Sequence, residues 1–394
     1  MSQQTPPQTA KRDRAWPYWP VVPLYPYGQR PTLRREVLAD TIWTFDQFQG
    51  IFYVVVPIRM TVVRLLAGGL LVYAPIAPTG ECLHLMGELV GAHGPVKYII
   101  LPTVSGIEHK VFVGPFARHF PEAQVFVTPH QWSFPINLPL SWLGLPPRRT
   151  QILPENSATT PFGAEFDYAL LGPIKLGLGP FAEVAFFHRP SNSLLLTDAL
   201  ISIPAEPPAI LQLDPYPLLF HARDKAAEAI ADTRDNRIKG WQRICLFATY
   251  FQPDALETPT LPQALTEARQ APDRSRRAYF GLYPFAWQPG WQRASEALRG
   301  NGRLLVAPVL QALIFNRDRQ AVLNWVERIA AWPSERLLPC HFTSPLPVDS
   351  GQIRAAFSFL SERSSDLPLP EADFRLLRQL DTGLTQRGIV PPPQ

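Results

Sequence analysis

Proline is the feature that most limits how this chain can fold. The sequence contains 45 prolines in 394 residues, more than twice the roughly 5% background. Each proline fixes its own φ, lacks a backbone N–H and disfavours helix at the residue before it. The most apolar stretch, residues 51–78, therefore predicts several short strands and no membrane-spanning helix. It is interrupted by Pro57, Arg59, Arg64, Pro75 and Pro78.

Composition predicts a folded protein with a sizeable core. Hydrophobic residues make up 46% of the chain and charged residues 18%, with 37 Lys and Arg against 33 Asp and Glu. This weak, dispersed positive bias favours no nucleic-acid partner. Cys82, Cys245 and Cys340 lie far apart, which argues against a disulfide framework or a zinc knuckle. With no apolar signal segment at the N-terminus, we expect a soluble cytoplasmic protein.

The distribution of proline and apolar residues predicts three regions. Residues 1–33 should form an extended arm rich in Pro, Trp and Tyr. Residues 34–348 should form the main domain, with a lid at 124–165 and a helical insertion at 204–316. Residues 349–394 should form a helical tail. Residues 1–33 and 349–394 thus flank a single elaborated domain.

The order of elements between residues 41 and 127 indicates an α/β layered fold. Short β-branched and aromatic runs come first, and residues 80–94 then carry apolar side chains at helical spacing. A buried strand, VKYIILPT, is followed by the short helix VFVGPFARHFPEA and another strand, QVFVTP. This β, α, β, α, β order predicts crossover connections between parallel strands.

Several chemical motifs are missing, which narrows the possible functions. There is no Walker A loop and no GxSxG elbow, and Pro180 disrupts the one segment that imitates a dinucleotide fingerprint. What remains is a set of polar groups just after strands: Glu108, His109, Asp198 and His341. Such positions are where α/β layered proteins bind ligands. Carboxylate and imidazole groups together can hold a divalent ion.

The order of these segments resembles that of the metallo-β-lactamase superfamily. The turn TVSGIEHKVFVGPF stands where that superfamily has THxHxDHxGG, the pair AEVAFFHRPSNSLLLTDAL where it has a hairpin closing in GD, and LLPCHFTSP where it has its final histidine. The resemblance implies an αβ/βα sandwich of two mixed sheets between helices. More narrowly, the chain resembles an uncharacterised cyanobacterial and plant branch in which the metal signature is eroded.

Carried over position by position, the resemblance implies half of a two-metal site. His109 stands at the last histidine of the turn and Glu108 at its aspartate, while Val104 and Gly106 stand where the first two histidines belong. Residues 179–182 supply no ligand where another histidine is expected. The resemblance thus implies one metal position, whose ligands are Glu108, His109, Asp198 and His341.

Two functional interpretations remain open. In the first, one Zn²⁺, Fe²⁺ or Mn²⁺ activates water for hydrolysis of an ester, thioester or phosphoester, with Asp198 as general base. In the second, no metal binds and the same side chains only cap helices and loops of a non-catalytic scaffold. His188, which lies in the hairpin, is interpreted as a hydrogen-bond partner of the turn.

The lid offers a candidate contact surface. Residues 124–147 contain no Asp, Glu, Lys or Arg but include Trp132, Phe134 and Trp142. Such a segment forms either a packed irregular lid or an apolar loop that touches a membrane surface or a protein partner.

Overall fold

Two mixed β-sheets lie face to face between layers of helices. The structure, a computed structural model, describes residues 11–104, 108–133, 136–177, 179–361 and 369–393. The first sheet has the strand order β1 (Leu33–Leu38), β2 (Ile42–Ile51), β3 (Val54–Arg64), β4 (Leu70–Tyr73), β5 (Val96–Leu101), β6 (Gln124–Val127) and β7 (Thr150–Ile152). The second has the order β14 (Leu346–Pro347), β13 (Arg336–Pro339), β10 (Ser193–Leu196), β9 (Pro180–His188) and β8 (Phe166–Lys175).

Helices cover the outer face of each sheet. Buried side chains of α1 (Gly80–His93) and α2 (His109–Arg118) pack on the first sheet, and those of α9 (Arg319–Ala330) and α10 (Ser350–Ala356) pack on the second. A third apolar layer joins the two inner faces, with Tyr73 and Phe126 from one sheet against Phe186 and Leu338 from the other. The predicted αβ/βα sandwich is therefore confirmed.

The remaining helices belong mainly to the insertion. They are α3 (Ala209–Gln212), α4 (Tyr216–Ala222), α5 (Arg234–Tyr250), α6 (Leu261–Ala268), α7 (Trp291–Arg299), α8 (Pro308–Leu313) and, in the tail, α11 (Arg375–Gln386). A two-stranded ribbon of β11 (Leu256–Glu257) and β12 (Ala286–Trp287) lies among them. Their core packs against the β2–β3 hairpin through Phe48, Tyr53 and Val55. Within the described residues, no helix has the length and apolar character needed to cross a bilayer.

The prediction of several short strands is wrong for the segment that forms β3. Residues 51–64 were expected to form more than one short strand, yet β3 runs without a break through Pro57. The strand pairs along its whole length with β2 but reaches β4 only at residues 61–64. A proline is tolerated here because one side of this half of β3 has no neighbouring strand among the described residues.

The N-terminal arm packs against the body. Its described part, from residue 11, contains two short 3₁₀ turns and buries Trp16, Leu24 and Tyr25. Backbone bridges join Ala15 to Gln29 and Tyr25 to Gly50, the second of which ties the arm to the end of β2. The arm is thus a part of the folded unit over its described length.

The lid residues differ in exposure. Trp132 donates its indole N–H to the Pro180 carbonyl at 2.9 Å and is partly buried, whereas the side chain of Trp142 is 75% exposed. Phe134 lies outside the described residues. Of the two described tryptophans, Trp132 is therefore packed and Trp142 faces solvent.

His188 hydrogen-bonds the hairpin turn, as the sequence indicated. Its Nδ1 lies 2.7 Å from Ser191 Oγ. Burial, with a smaller effect from Arg189, lowers the pKa of His188 to about 4. An unfolded histidine titrates near 6.5. Below that pH the unfolded chain therefore binds a proton that the folded chain excludes, and stability is lost as the pH falls from about 6.5 to about 4.

We predict that His188→Asn flattens the acid side of the stability profile. Asparagine can keep a hydrogen bond to Ser191 without titrating. Between pH 6.5 and 4, the free energy of unfolding of the wild type should fall more steeply than that of the variant, by up to about 1.4 kcal/mol per pH unit. Urea unfolding at several pH values measures both slopes. His84→Asn, at a side chain that is 75% exposed, should leave the slope unchanged; parallel profiles for wild type and His188→Asn would contradict the prediction.

Candidate metal centre

Three loops that follow strands meet at one end of the sandwich. Glu108 and His109 stand at the start of α2, after β5; Asp198 follows β10, and His341 follows β13. β10 and β13 are parallel neighbours, as are β5 and its two flanking strands. Because parallel strands end at the same edge of a sheet, the side chains that follow them come together.

The three closest groups are two carboxylates and one imidazole. His341 Nε2 lies 2.9 Å from Glu108 Oε2 and 3.0 Å from Asp198 Oδ1. One ligand atom from each of the three residues can be chosen so that all lie within 4.8 Å of one another. The side chains of Glu108 and Asp198 are 21% and 20% exposed, so the cluster opens to solvent on its carboxylate side.

His109 lies beside this cluster. Its ring centroid is 6.5 Å from that of His341. Nδ1 is 3.1 Å from the Pro75 carbonyl, and Nε2 is buried with no hydrogen-bond partner among the described residues. Burial lowers the pKa of His109, against the raising effect of Glu108. The neutral ring therefore donates Nδ1–H to Pro75 and keeps a lone pair on Nε2.

His341 has the opposite electrostatic balance. Burial alone would lower its pKa, but Glu108 and Asp198 outweigh burial and raise the pKa well above the ordinary value. For Glu108, burial would raise the carboxyl pKa, but the nearby His341 outweighs burial and lowers it. Without a metal, the cluster is therefore an imidazolium held between two carboxylates.

Buried residues that sequence reasoning missed hold the ligand loops. The Arg59 guanidinium donates to the carbonyls of Pro339 (2.7 Å) and Phe342 (3.2 Å), which flank His341, and forms an ion pair with Asp46 at 2.6 Å. The carboxylate of Glu183 accepts backbone N–H groups of residues 197–199. Both side chains are almost fully buried. In the sequence, Arg59 and Glu183 each stand as a charged residue inside an apolar strand, and this pattern could have indicated a buried structural role.

At the described positions where the resemblance implies further histidines, the side chains offer no metal ligand. Val104 is 2% exposed and its N–H donates to the Ala182 carbonyl at 3.1 Å. A Cβ on Gly179 would lie 2.3 Å from the ring of Trp132, so a larger side chain cannot fit there without moving the lid. Gly106 lies outside the described residues.

Comparison with known proteins shows the family. The family model of DUF4336, a domain of unknown function, matches residues 39–359, more than three quarters of the chain. The chain belongs to the DUF4336 family. A comparison with curated protein sequences gives no match.

Solved structures similar to this DUF4336 protein include metallo-β-lactamases and a flavodiiron core. The Pontibacter korlensis metallo-β-lactamase is 10% identical, with a TM-score of 0.38 over 84% of this chain and 100% of that one. The metal-soaked Flv1 flavodiiron core from Synechocystis sp. PCC6803 is 10% identical, with a TM-score of 0.44 over 92% of this chain and 71% of that one. The Hirschia baltica metallo-β-lactamase is 8% identical, with a TM-score of 0.39 over 85% and 100%.

We predict that Arg59 contributes more to the free energy of unfolding than an exposed arginine does. Arg59→Met leaves Asp46 buried without its closest cation, which should cost about 3–5 kcal/mol in the free energy of unfolding. Adding Asp46→Leu should recover part of the loss, because the unpaired charge is then removed. Chemical denaturation measures all three proteins.

Arg354→Met is the matched control. Arg354 pairs with Glu327, but the two side chains are 44% and 62% exposed, so its loss should lower the free energy of unfolding much less than the loss of Arg59 does. Equal losses for Arg59→Met and Arg354→Met would contradict the prediction.

Proposed function

We propose that this DUF4336 protein binds a single divalent cation through Glu108, Asp198 and His341. The observation that carries the proposal is the approach of His341 Nε2 to both carboxylates, at 2.9 and 3.0 Å, from three separate loops. Two carboxylate oxygens and one imidazole nitrogen suit Zn²⁺, Fe²⁺ or Mn²⁺. Two negative charges and a neutral imidazole also balance the charge of one divalent ion.

The orientation of the two imidazoles supports this proposal. Histidines that bind metals commonly donate their other ring N–H to a backbone carbonyl or carboxylate, which fixes the tautomer. His341 Nδ1 lies 2.9 Å from the Pro57 carbonyl, and His109 Nδ1 lies 3.1 Å from the Pro75 carbonyl. In both rings Nε2 is therefore the nitrogen that is available to a cation. His109, whose Nε2 has no hydrogen-bond partner in the part of the chain that the structure describes, is the candidate fourth ligand.

The proposed site is a degenerate one that holds one ion. The closely spaced cluster contains one histidine, and Val104 and residues 179–182 offer no ligand side chain beside it. Two-metal hydrolases use a second ion to stabilise the oxygen opposite the first. A site of this composition lacks that contribution, so we expect weaker hydrolysis than at a complete two-metal centre.

We predict about one equivalent of metal in protein purified without chelator, and loss of most of it in His341→Ala and Asp198→Asn. His341→Ala removes one of three donors, and Asp198→Asn replaces a charged carboxylate oxygen with a neutral amide oxygen of the same shape. Elemental analysis by mass spectrometry measures the content, and titration with Zn²⁺ or Mn²⁺ gives the Kd.

His84→Ala is the control, since His84 is exposed on α1 and lies outside the cluster. His109→Ala tests the fourth ligand and should weaken the Kd while leaving some binding. Metal content near zero in the wild type after growth with added metal, or equal content in the wild type and His341→Ala, would refute the cation site.

Hydrolysis is the second candidate, favoured by the partial exposure of the two carboxylates. A bound divalent ion would supply Lewis acidity and lower the pKa of a water molecule. Asp198, 20% exposed and fixed at the end of β10, could take a proton from that water as general base. The substrates that fit such chemistry are esters, thioesters and phosphoesters.

We predict slow turnover of p-nitrophenyl acetate or bis(p-nitrophenyl) phosphate that is abolished by Asp198→Asn. Removal of a general base typically costs about 10²–10⁴-fold in rate. Because Asp198→Asn is expected to bind metal more weakly, the assay compares the wild type, Asp198→Asn and His84→Ala at metal concentrations that saturate each protein. Activity that survives Asp198→Asn, or that is absent in metal-loaded wild type, would exclude Asp198 as the base of a hydrolase and leave a protein that only binds metal.

A further inference from the structure

Glu183 is a wholly buried carboxylate in the middle of β9. Its exposed fraction is 0%, and the residues on both sides of it are apolar. A carboxylate in such a place is stable only if its oxygens accept hydrogen bonds. It has no contact with a Lys, Arg or His side chain among the described ion pairs and hydrogen bonds. The groups that donate hydrogen bonds to Glu183 therefore indicate its role.

Those partners are the backbone N–H groups of the loop that carries Asp198. Glu183 Oε1 accepts from Thr197 at 2.6 Å and from Asp198 at 3.2 Å. Oε2 accepts from Asp198 at 3.2 Å and from Ala199 at 3.0 Å. Three successive N–H groups thus point at one carboxylate, which fixes the direction in which the chain leaves β10.

The same stretch of β9 also holds the segment that leads to Glu108. The backbone of Thr103 bridges to that of Glu183, Val184 N–H donates to the Pro102 carbonyl at 2.8 Å, and Val104 N–H donates to the Ala182 carbonyl. The two segments are therefore held by the same strand. The segment that leads to Glu108 is held through the backbone of β9, and residues 197–199 are held through the Glu183 side chain.

We propose that Glu183 is a positioning residue, which fixes residues 197–199 and so presents the Asp198 carboxylate to the cation site. The inference rests on the cation site proposed above, but the hydrogen bonds that carry it involve no metal. Glu183 touches neither ion nor substrate in this role. Loss of a contact that orients a metal ligand typically changes metal affinity by about 10–100-fold.

Glu183→Gln is the most direct test. Glutamine keeps the volume and one carbonyl oxygen, but its amide group donates and so faces N–H groups that also donate. We expect the Kd for Co²⁺ to rise about 10–100-fold and the ligand-field absorption of bound Co²⁺ to change, because Asp198 is displaced. A role in stability alone would leave this spectrum unchanged. Glu183→Asp, which keeps the carboxyl group on a shorter side chain, should restore part of the affinity.

Glu165→Gln is the matched control. Glu165 is also buried and also accepts a backbone N–H, that of Leu66 at 3.0 Å, but its carboxylate lies beside His188 in the hairpin and not beside residues 197–199. This variant should bind Co²⁺ with the wild-type Kd and spectrum. If Glu183→Gln does the same while remaining folded, the positioning role is overturned.

A second measurement requires no metal. Hydrogen–deuterium exchange of a peptide spanning residues 197–199 should quicken by about tenfold or more in Glu183→Gln, because loss of hydrogen bonds opens the loop. Peptides from α5 should keep the wild-type rate, which separates local opening from global unfolding. Unchanged exchange at 197–199 would overturn the inference even if metal binds. Wild type that binds no metal, together with faster loop exchange in Glu183→Gln, would refute the cation site while supporting the hydrogen bonds of Glu183 to the loop.

Discussion

Charge that is buried must be compensated, and this requirement organises the whole end of the sandwich where the three loops meet. His341 balances Glu108 and Asp198, Arg59 balances Asp46, and three backbone N–H groups solvate Glu183. None of these groups could stay buried alone at a tolerable cost in free energy. His341 joins loops that are distant in sequence, and Arg59 also donates to carbonyls beside His341, so the same contacts that neutralise charge also fix the loops.

Sequence reasoning could find the layers and the ligand loops because both depend on local pattern. Alternating apolar runs and helical spacing specify strands and helices, and polar residues just after strands mark one edge of a sheet. Glu108, Asp198 and His341 were reached in this way, and they do lie together. His109 lies beside these three residues and outside their closely spaced cluster. Its position depends on how its ring is oriented, which strand order does not determine.

The supporting residues could not be found from local pattern. Arg59 and Glu183 stand inside apolar strands, where a charge either faces solvent at an edge or meets a partner across the fold. The partners of Arg59 are carbonyls more than 270 residues away in sequence, at Pro339 and Phe342. Such pairings follow from how the two sheets pack. A single sequence shows that a charged residue is present, but it does not show which group that residue contacts.

The N-terminal arm extends this network beyond the residues that the family model matches. Arg30 is 1% exposed, and its guanidinium donates to Gln49 Oε1 at 3.3 Å; the side chain of Gln49 in turn hydrogen-bonds to Glu108. Burial lowers the pKa of Arg30 to about 10, so the side chain is still a cation at neutral pH. Through the side chain of Gln49, the arm is therefore linked to Glu108 by hydrogen bonds.

This link bears on the cation site proposed above. Without a metal, the His341 imidazolium lies between the carboxylates of Glu108 and Asp198. A divalent ion must therefore displace the His341 proton before the imidazole can bind it. Because hydrogen bonds from Arg30 to Gln49 and from Gln49 to Glu108 hold one of these carboxylates from the side of the arm, the geometry of the proposed site depends on residues outside the matched domain as well as on the ligand loops.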